Sequence, residues 1–536
     1  MNKTINKFLK HVAVILPLII VLDIPFIVYA FKSGVAEMYL AVIISILIPL
    51  LIQITLQLKL WQFVLLSLPV LYLSLSFDTL IFDFNSYYNI STWAAVFDTN
   101  PEESKEFFKI LTRQTWLTGI LQISTYLFYL LLSLKIQLKK QPVSIRITAL
   151  IILLLLTINW FMNGITAQAY PFGHTLHSYI AYRKQSDLEK KLYLQKKSYR
   201  YNAYENSEFA TDSLPKTIVV LINESLRRDH QQIYGYQRKT TPLIAKENLI
   251  IYTDLISPAN QTVNALRRIF SQAEGTNDTL YFAKPSIITA FKEAGYHTAW
   301  FSTQPVGKNG ESKNSVIAKE SDTTIFRNNN QLDTILLKDL AGELKIKNRK
   351  KLIFLHTFGV HYLYEKRFPK NFAHFSKTTD SDYKQDQINK YDDAIRYNDL
   401  LQSKIIKLLK QQKGEKIFIA FSDHGESLFD SGPNIQGHGA LHPAKSEYDI
   451  PFIIWLSDEY KNKHPDIYAQ VIKNKDLPAI NSDFFYSFPY LSGIEFNELN
   501  PAKNFFKNSY KHRQNLQVIN SALELLDYNR MPAKRK

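Results

Sequence analysis

The stretch Phe418–Ser427 reads FIAFSDHGES, an apolar run that stops abruptly at an aspartate, a histidine, a glycine and a glutamate. An unbroken apolar run of this length suits a strand buried on both faces. Four more runs share its character: KTIVVLINES, YHTAWFST, KLIFLHTFGVH and DIPFIIWLS, all between residues 216 and 457. They alternate with stretches of helical period such as SIITAFKEAG and YDDAIRYNDLLQSKIIKLLKQQ. That alternation predicts an α/β domain with a mostly parallel central sheet and helices on both faces. No internal repeat and no glycine-rich nucleotide-binding loop interrupts the pattern.

In an open α/β sheet, ligands bind beyond the carboxyl ends of the strands. TIVVLIN runs out at Glu224, LIFLHTFGV at His361, and IFIAFS at Asp423 and His424. Three strands thus deliver carboxylate and imidazole to one edge, and the chain has no cysteine, so this is the ligand set a divalent zinc takes. His438 follows in the loop NIQGHGALH. The segment SPANQTVNALRRIFSQAEG reads as a loop entering a helix, with Thr262 at the N-cap and Val263 opening the first turn. A hydroxyl there lies beside unpaired N–H groups and the positive end of the helix dipole, a suitable place to receive a phosphoryl group. Metal coordination would lower its pKa for nucleophilic attack. Each feature alone has a plainer reading as a cap or a hydrogen-bonded strand end; their joint appearance favours a site. His356 reads as a structural strand-end histidine, and Asp393 and Arg396 as a solvated helix face.

The first third of the chain reads as a membrane domain. Apolar windows near the roughly 20 residues of a spanning helix fall at 11–31, 38–57, 60–77, 116–134 and 147–163, five spans within residues 1–164. No small-residue cleavage site follows the first, which reads as a retained anchor. Lys3, Lys7 and Lys10 precede it, Lys59 separates the second and third, and Lys135, Lys139, Lys140 and Arg146 separate the fourth and fifth. The positive-inside rule makes those segments cytoplasmic. The acid-rich loop from Asp78 to Trp116 suits the other side, and an odd number of spans places everything beyond residue 164 outside the cytoplasm. Residues 165–213 read as a helical bridge, lying on the membrane interface or solvated as a linker; 214–510 form the soluble domain and 511–536 a basic tail. A net charge of +16 suits a surface facing a phosphate-rich membrane. Nucleic acid, the other usual partner of such charge, does not suit a domain anchored outside the cytoplasm. The zero cysteine count excludes thiol chemistry without fixing the compartment.

NESLRRDHQQIYGYQRKTTP, a threonine nine residues before the serine of IFS, GVH near a strand end, YDDAIRYND, and FSDHGESLFD followed by QGHG form a specific combination. Together they resemble the membrane phosphoethanolamine transferases of Gram-negative bacteria, in the alkaline phosphatase superfamily, over nearly the whole chain. SDHGE alone is shared with sulfatases and phosphoglycerol transferases; the combination is narrower. The resemblance implies that Glu224, Thr262, Asp423 and His424 ligate zinc, that Thr262 is also the nucleophile, and that His361 and His438 face the phosphoryl group or a second metal. It implies a monomeric, multi-pass protein of the bacterial inner membrane with its catalytic domain in the periplasm. Phosphatidylethanolamine is then the donor, phosphothreonine the intermediate, and lipopolysaccharide, lipooligosaccharide or lipid A the acceptor. The family's donor-binding Asn, Thr, Glu pattern is met by Thr99 and Glu103, with Ala95 in place of the Asn. The absence of cysteine, and Tyr362 where lipid A-modifying members carry glycine, bring the chain closer to the branch that decorates core heptose. A sulfatase needs Cys or Ser followed by x-Pro-x-Arg, which SPANQ does not supply. A phosphoglycerol transferase acting on a periplasmic glucan or teichoic-acid-like acceptor is the alternative, separated by donor identity. A non-catalytic lipid-binding scaffold is a third reading, against which the intact Glu, Thr, Asp and His set speaks.

Overall fold

The computed structural model describes residues 2–33, 36–83, 87–98, 111–163, 171–210, 216–304, 315–327, 331–347, 349–377, 382–511 and 515–534. The chain divides into two compact units, one of residues 1–97 and 105–186, the other of 98–104 and 187–536.

The first unit is helical. Among the described residues three helices are long and apolar enough to cross a membrane, Ile5–Leu22, Met38–Leu56 and Arg113–Ser133. Leu60–Leu66 and Leu68–Phe82, bent by 43°, make a fourth if the pair is one span. Three or four of the five expected spans are thus met among the described residues. The window at 11–31 is broken at Asp23, whose carboxylate accepts a 2.6 Å hydrogen bond from Ser45 Oγ. The window at 60–77 is broken at Ser67, where Pro69 has no N–H to continue the helical ladder. The last window lies in a continuous helix, Val143–Asn163, 21 residues long, of which Val143–Ile158 is the apolar stretch with described side chains. Ile15, Leu18, Ile54 and Val64 fill the interior of this unit, while Phe128, Leu131 and Leu155 point outward and exposed. Apolar side chains turned outward are what a lipid-facing bundle needs.

The second unit is built on a sheet of seven strands among the described residues: β1 (Thr217–Asn223), β2 (Leu249–Tyr252), β3 (His297–Ser302), β4 (Thr323–Phe326), β5 (Lys351–His356), β6 (Lys416–Ser422) and β7 (Phe452–Leu456). Their spatial order is β2-β7-β6-β1-β5-β3-β4. β6, β1, β5, β3 and β4 pair in parallel, but β7 runs antiparallel to both β6 and β2. The sheet is mixed where a mostly parallel one was expected. The chain returns from the end of β6 to β7 at the same edge, without a crossover helix, and such a return forces antiparallel pairing. The apolar runs themselves carry no direction.

Both faces of the sheet are covered. Ile218, Val220 and Ile222 of β1 pack with Ala265, Leu266, Ile269 and Phe270 of helix α1 (Thr262–Phe270). Val219 and Leu221, on the other face, pack with Leu401, Ile405, Ile406 and Leu409 of helix α2 (Tyr383–Lys410). The two-residue period of β1 explains why Ile218 to Ile222 are apolar without a break: neither face meets water. α2 is started by Asp382, which accepts from Gln385 N, and carries Lys407 and Lys410 in its last turn, against the negative end of its dipole.

Two boundaries differ from the expected ones. Residues 171–198 are one helix, but the segment after it belongs to the second unit's fold rather than to a bridge ending at 213. Tyr201 is 2% exposed and donates to Pro285 O, and the Tyr201 and Ala203 amides donate to the Glu293 carboxylate at 3.2 and 3.1 Å. Nor is 511–536 a free tail: Gln517–Ile519 pairs with Leu525–Asp527, and Leu516, Val518, Tyr528 and Met531 pack with Ile256 and Tyr448. A basic composition hid these widely spaced apolar anchors.

Candidate functional site

The register of β1 and β6 places Asn223 opposite Ser422, so Glu224 and Asp423 leave their strands side by side. His424 follows, and all three are buried, Glu224 being 1% exposed. His424 Nε2 lies 3.2 Å from Glu224 Oε1 and 3.4 Å from Asp423 Oδ2. α1 brings Thr262 to the same point: its Oγ1 donates to Glu224 Oε2 at 3.1 Å and lies 3.3 Å from His424 Nε2. Thr262 is not the N-cap. Gln261, extended at φ −147° and ψ 140°, caps α1, and Thr262 is its first helical residue, its hydroxyl turned to the carboxylate instead of to the helix amides. The four residues come together from three separate parts of the chain.

The surrounding bonds leave specific atoms free. Asp423 Oδ1 accepts from Ser225 N at 3.2 Å and His424 N at 2.8 Å, whereas the buried Oδ2 has no hydrogen-bond partner. His424 Nδ1 lies 2.8 Å from the Gly425 carbonyl, to which its N–H donates, and this turns Nε2 towards Glu224 and Asp423 as the nitrogen a cation would take in place of a proton. One oxygen or nitrogen from each of Glu224, Asp423 and His424 lies within 4.8 Å of the others, and the same holds for Glu224, His361 and His438. Two buried carboxylates, one with an orphaned oxygen, and an imidazole Nε2 turned towards them fit a divalent cation that takes oxygen and nitrogen ligands. Without a cation the charges strain one another. Burial and the Glu224 charge push the Asp423 carboxyl up. Burial opposes charge on His424, but the Asp423 and Glu224 carboxylates outweigh it and raise the imidazole to about 10. Burial likewise opposes charge on Glu224, yet His424 holds that carboxyl well below the usual range.

His361 lies not at the end of a strand but on the turn beyond it. β5 stops at His356, and Thr357–Val360 carry the chain over Glu224, with Val360 N donating to Glu224 O at 3.1 Å. Gly359 takes φ +57° there, and an added Cβ would lie 2.6 Å from Glu224 O. The His361 ring stacks on Phe358 and lies 5.3 Å from the His438 ring, which lies 4.1 Å from that of His424. Burial lowers both His361 and His438 to about 3, so both rings are neutral at pH 7.

Several residues of the site were not anticipated. Glu426 is buried between the Tyr364 hydroxyl at 2.8 Å and His438 Nδ1 at 2.9 Å, and burial pushes its carboxyl up to about 8. It is the last residue of SDHGE, so the motif itself was the signal. Glu447 joins the loop of His438 to that of Thr262, accepting from Asn260 Nδ2 at 2.8 Å and Ala440 N at 3.1 Å; nothing local marks it. His356 is buried edge-on to Trp300. Asp393 is no part of a solvated face: it is buried and accepts from the amides of His374, Phe375 and Ser376, while Arg396 lies over the Phe375 ring. The amphipathic period cannot reveal a loop folded over the polar side of a helix. Thr99 and Glu103 lie outside the described residues.

Known proteins share this architecture. Phosphoethanolamine transferase EptC of Escherichia coli K12 is 28% identical over 339 residues, 59% of this chain and 58% of that protein. The alignment thus covers less than two thirds of that relative. The crystal structure of the C-terminal periplasmic domain of Escherichia coli EptC in complex with Zn superposes with a TM-score of 0.57 and 27% identity, covering 62% of this chain and 96% of that one. The integral membrane lipooligosaccharide phosphoethanolamine transferase A of Neisseria meningitidis shares the fold over 92% of this chain and 97% of its own, with a TM-score of 0.68 at 18% identity. The sulfatase family profile matches residues 216–493, more than half of the chain. Because that match runs through every strand of the sheet and both ends of the site, the protein belongs to the sulfatase family.

Proposed function

We propose that this protein transfers phosphoethanolamine from phosphatidylethanolamine to lipopolysaccharide or lipooligosaccharide, core heptose in preference to lipid A, through a phosphothreonine at Thr262. The observation that carries this reading is the Thr262 hydroxyl, 3.1 Å from Glu224 Oε2 and 3.3 Å from His424 Nε2 at the first turn of α1. Glu224, Asp423, His424 and Thr262 would hold zinc, as the zinc complex of the EptC domain supports, with room for a second ion at Glu224, His361 and His438. Zinc, when bound, lowers the pKa of a ligating alcohol and offsets phosphoryl charge.

The chain's own residues do the rest. Thr262 Oγ1, its hydroxyl donating to Glu224 Oε2, attacks phosphorus; its bond to phosphorus forms as the bond to the diacylglycerol oxygen breaks, the hydroxyl proton ends on that leaving oxygen, and the α1 amides face the phosphoryl oxygens. His438, oriented through Nδ1 by Glu426, faces the acceptor in the second step, when the acceptor oxygen displaces Thr262 Oγ1 from phosphorus and the proton it gives up returns to that threonine oxygen. His361 lines the same side and orients the phosphoryl group. Thr99 and Glu103 contact the donor headgroup. The protein acts as a monomer in the bacterial inner membrane with its second unit in the periplasm, a placement supported by the relatives' periplasmic domains.

The test compares wild type with Thr262→Ala, presenting fluorescent phosphatidylethanolamine or phosphatidylglycerol to the purified full-length protein. Diacylglycerol release from phosphatidylethanolamine by wild type alone is expected, with phosphoethanolamine found on core fragments by mass spectrometry of lipopolysaccharide. Undiminished release by Thr262→Ala refutes the nucleophile, and release from phosphatidylglycerol only refutes the donor.

A further inference from the structure

Gln304 stands two residues past β3, a polar side chain only 4% exposed. Its Nε2 donates to Glu224 Oε2 and to the Thr357 carbonyl, each at 2.8 Å. Both hydrogens of the amide nitrogen are therefore committed, one to a carboxylate and one to the main chain of the turn that carries Gly359 and His361. The oxygen it holds is the one that accepts the Thr262 hydroxyl, while the other, Oε1, faces His424 and accepts from Ser225 Oγ at 2.8 Å. The bond thus decides which Glu224 oxygen faces which neighbour.

The anchorage behind Gln304 is firm. Its backbone N–H donates to Ser302 Oγ at 3.0 Å. The adjacent Thr303 hydroxyl donates to Asp333, whose carboxylate also accepts from the Phe358 and Gly359 amides at 3.0 Å each. The end of β3 and the turn after β5 are thereby locked together beneath Glu224. The choice of an amide matters as well as its position. A lysine or arginine here would orient Glu224 but also neutralise it, competing with a cation for the carboxylate; a neutral donor orients it and leaves the charge available.

We propose that Gln304 is a positioning residue that fixes the rotation of the Glu224 carboxylate and thereby strengthens zinc binding by Glu224, Asp423 and His424. This rests on the metal-centre reading above and goes beyond it in assigning a role outside the ligand set. Gln304→Met removes both donors at similar volume, and Gln304→Asn keeps the amide but withdraws it by one methylene. The full-length protein in detergent is titrated with zinc against a chromogenic chelator, and zinc-free thermal unfolding is recorded in parallel. Zinc affinity is expected to fall about 10–100-fold in both variants, the usual cost of losing a partner that orients a ligand, while the zinc-free proteins stay folded at the titration temperature, with only the modest lowering of the unfolding temperature that loss of the Thr357 bond brings. Wild-type zinc affinity in either variant overturns the proposal, as does unfolding of the zinc-free variants at the titration temperature, which marks a purely structural role. A wild-type protein that binds no zinc overturns the metal-centre reading itself.

Discussion

Replacing Gly359 by alanine tests the arrangement where it has least room. The added Cβ would lie 2.6 Å from Glu224 O, 2.8 Å from Glu224 N and 2.9 Å from Glu224 Cβ, none of which can rotate away. The position also takes φ +57°, where an L side chain costs about 1–2 kcal/mol. Overpacking against an immobile neighbour adds about 1–3 kcal/mol. The stiffer unfolded chain returns roughly 0.4–1 kcal/mol. A net loss of about 2–4 kcal/mol follows, and because β1 is central in the sheet, the turn must yield. That movement breaks the 3.1 Å bond from Val360 N to Glu224 O and carries His361 off the site. Gly235 supplies the control: its φ is +95° but nothing lies within 4 Å of an added Cβ, so alanine there meets only the backbone penalty. Thermal unfolding and zinc titration of both variants make the comparison. If Gly359→Ala unfolds with Gly235→Ala and binds zinc like wild type, the steric argument is wrong.

Glu415 gives the pH dependence a sign. Burial opposes its charge, but the His464 hydrogen bond and the Lys216 and Lys463 charges outweigh it and hold the carboxyl down, at about 2 against an ordinary 4.5. A depressed carboxyl stabilises the fold above the unfolded value, so its contribution should drain away as pH falls from 4.5 towards 2; Glu415→Gln should flatten that part of the unfolding profile, and an unaltered profile would count against it. Tyr201→Ala, at a position 2% exposed in the segment after the long connecting helix, should cost roughly 3–5 kcal/mol of stability; an unchanged unfolding temperature would return that segment to a bridge. Thorough chelation should abolish transfer and added zinc restore it, whereas activity persisting through chelation would remove the metal from the chemistry.

The parts of the fold that could be read in advance are those where one physical requirement acts on consecutive residues. A strand sealed on both faces must be apolar throughout, which made β1, β5 and β6 visible. Their carboxyl ends then had to hold Glu224, Asp423 and His424, because a sheet interior has no place for them. Direction was another matter: β7 is as apolar as β6, and its antiparallel run is set by the path between them. Hydropathy summed over a window failed at Asp23 and Pro69 for a related reason, since one residue can end a helix without lowering the mean. Thr262 was placed one position early because capping preference is local, while its hydroxyl obeys a carboxylate 38 residues away.

What stayed hidden is the support beneath the ligands. Gln304 reaches Glu224 across 80 residues, and Glu447 reaches Asn260 across 187, with neither neighbourhood carrying a periodic or compositional mark. Such groups are chosen by the need to satisfy one another once buried, a condition that exists only after the strands are ordered and paired. Ligands betray themselves by being polar where an apolar strand ends; their supports are polar in loops, where polarity is ordinary. A sequence can therefore point to which atoms hold a cation long before it can say how tightly they hold it, because affinity depends on the rotation of a carboxylate that only the assembled turns restrain.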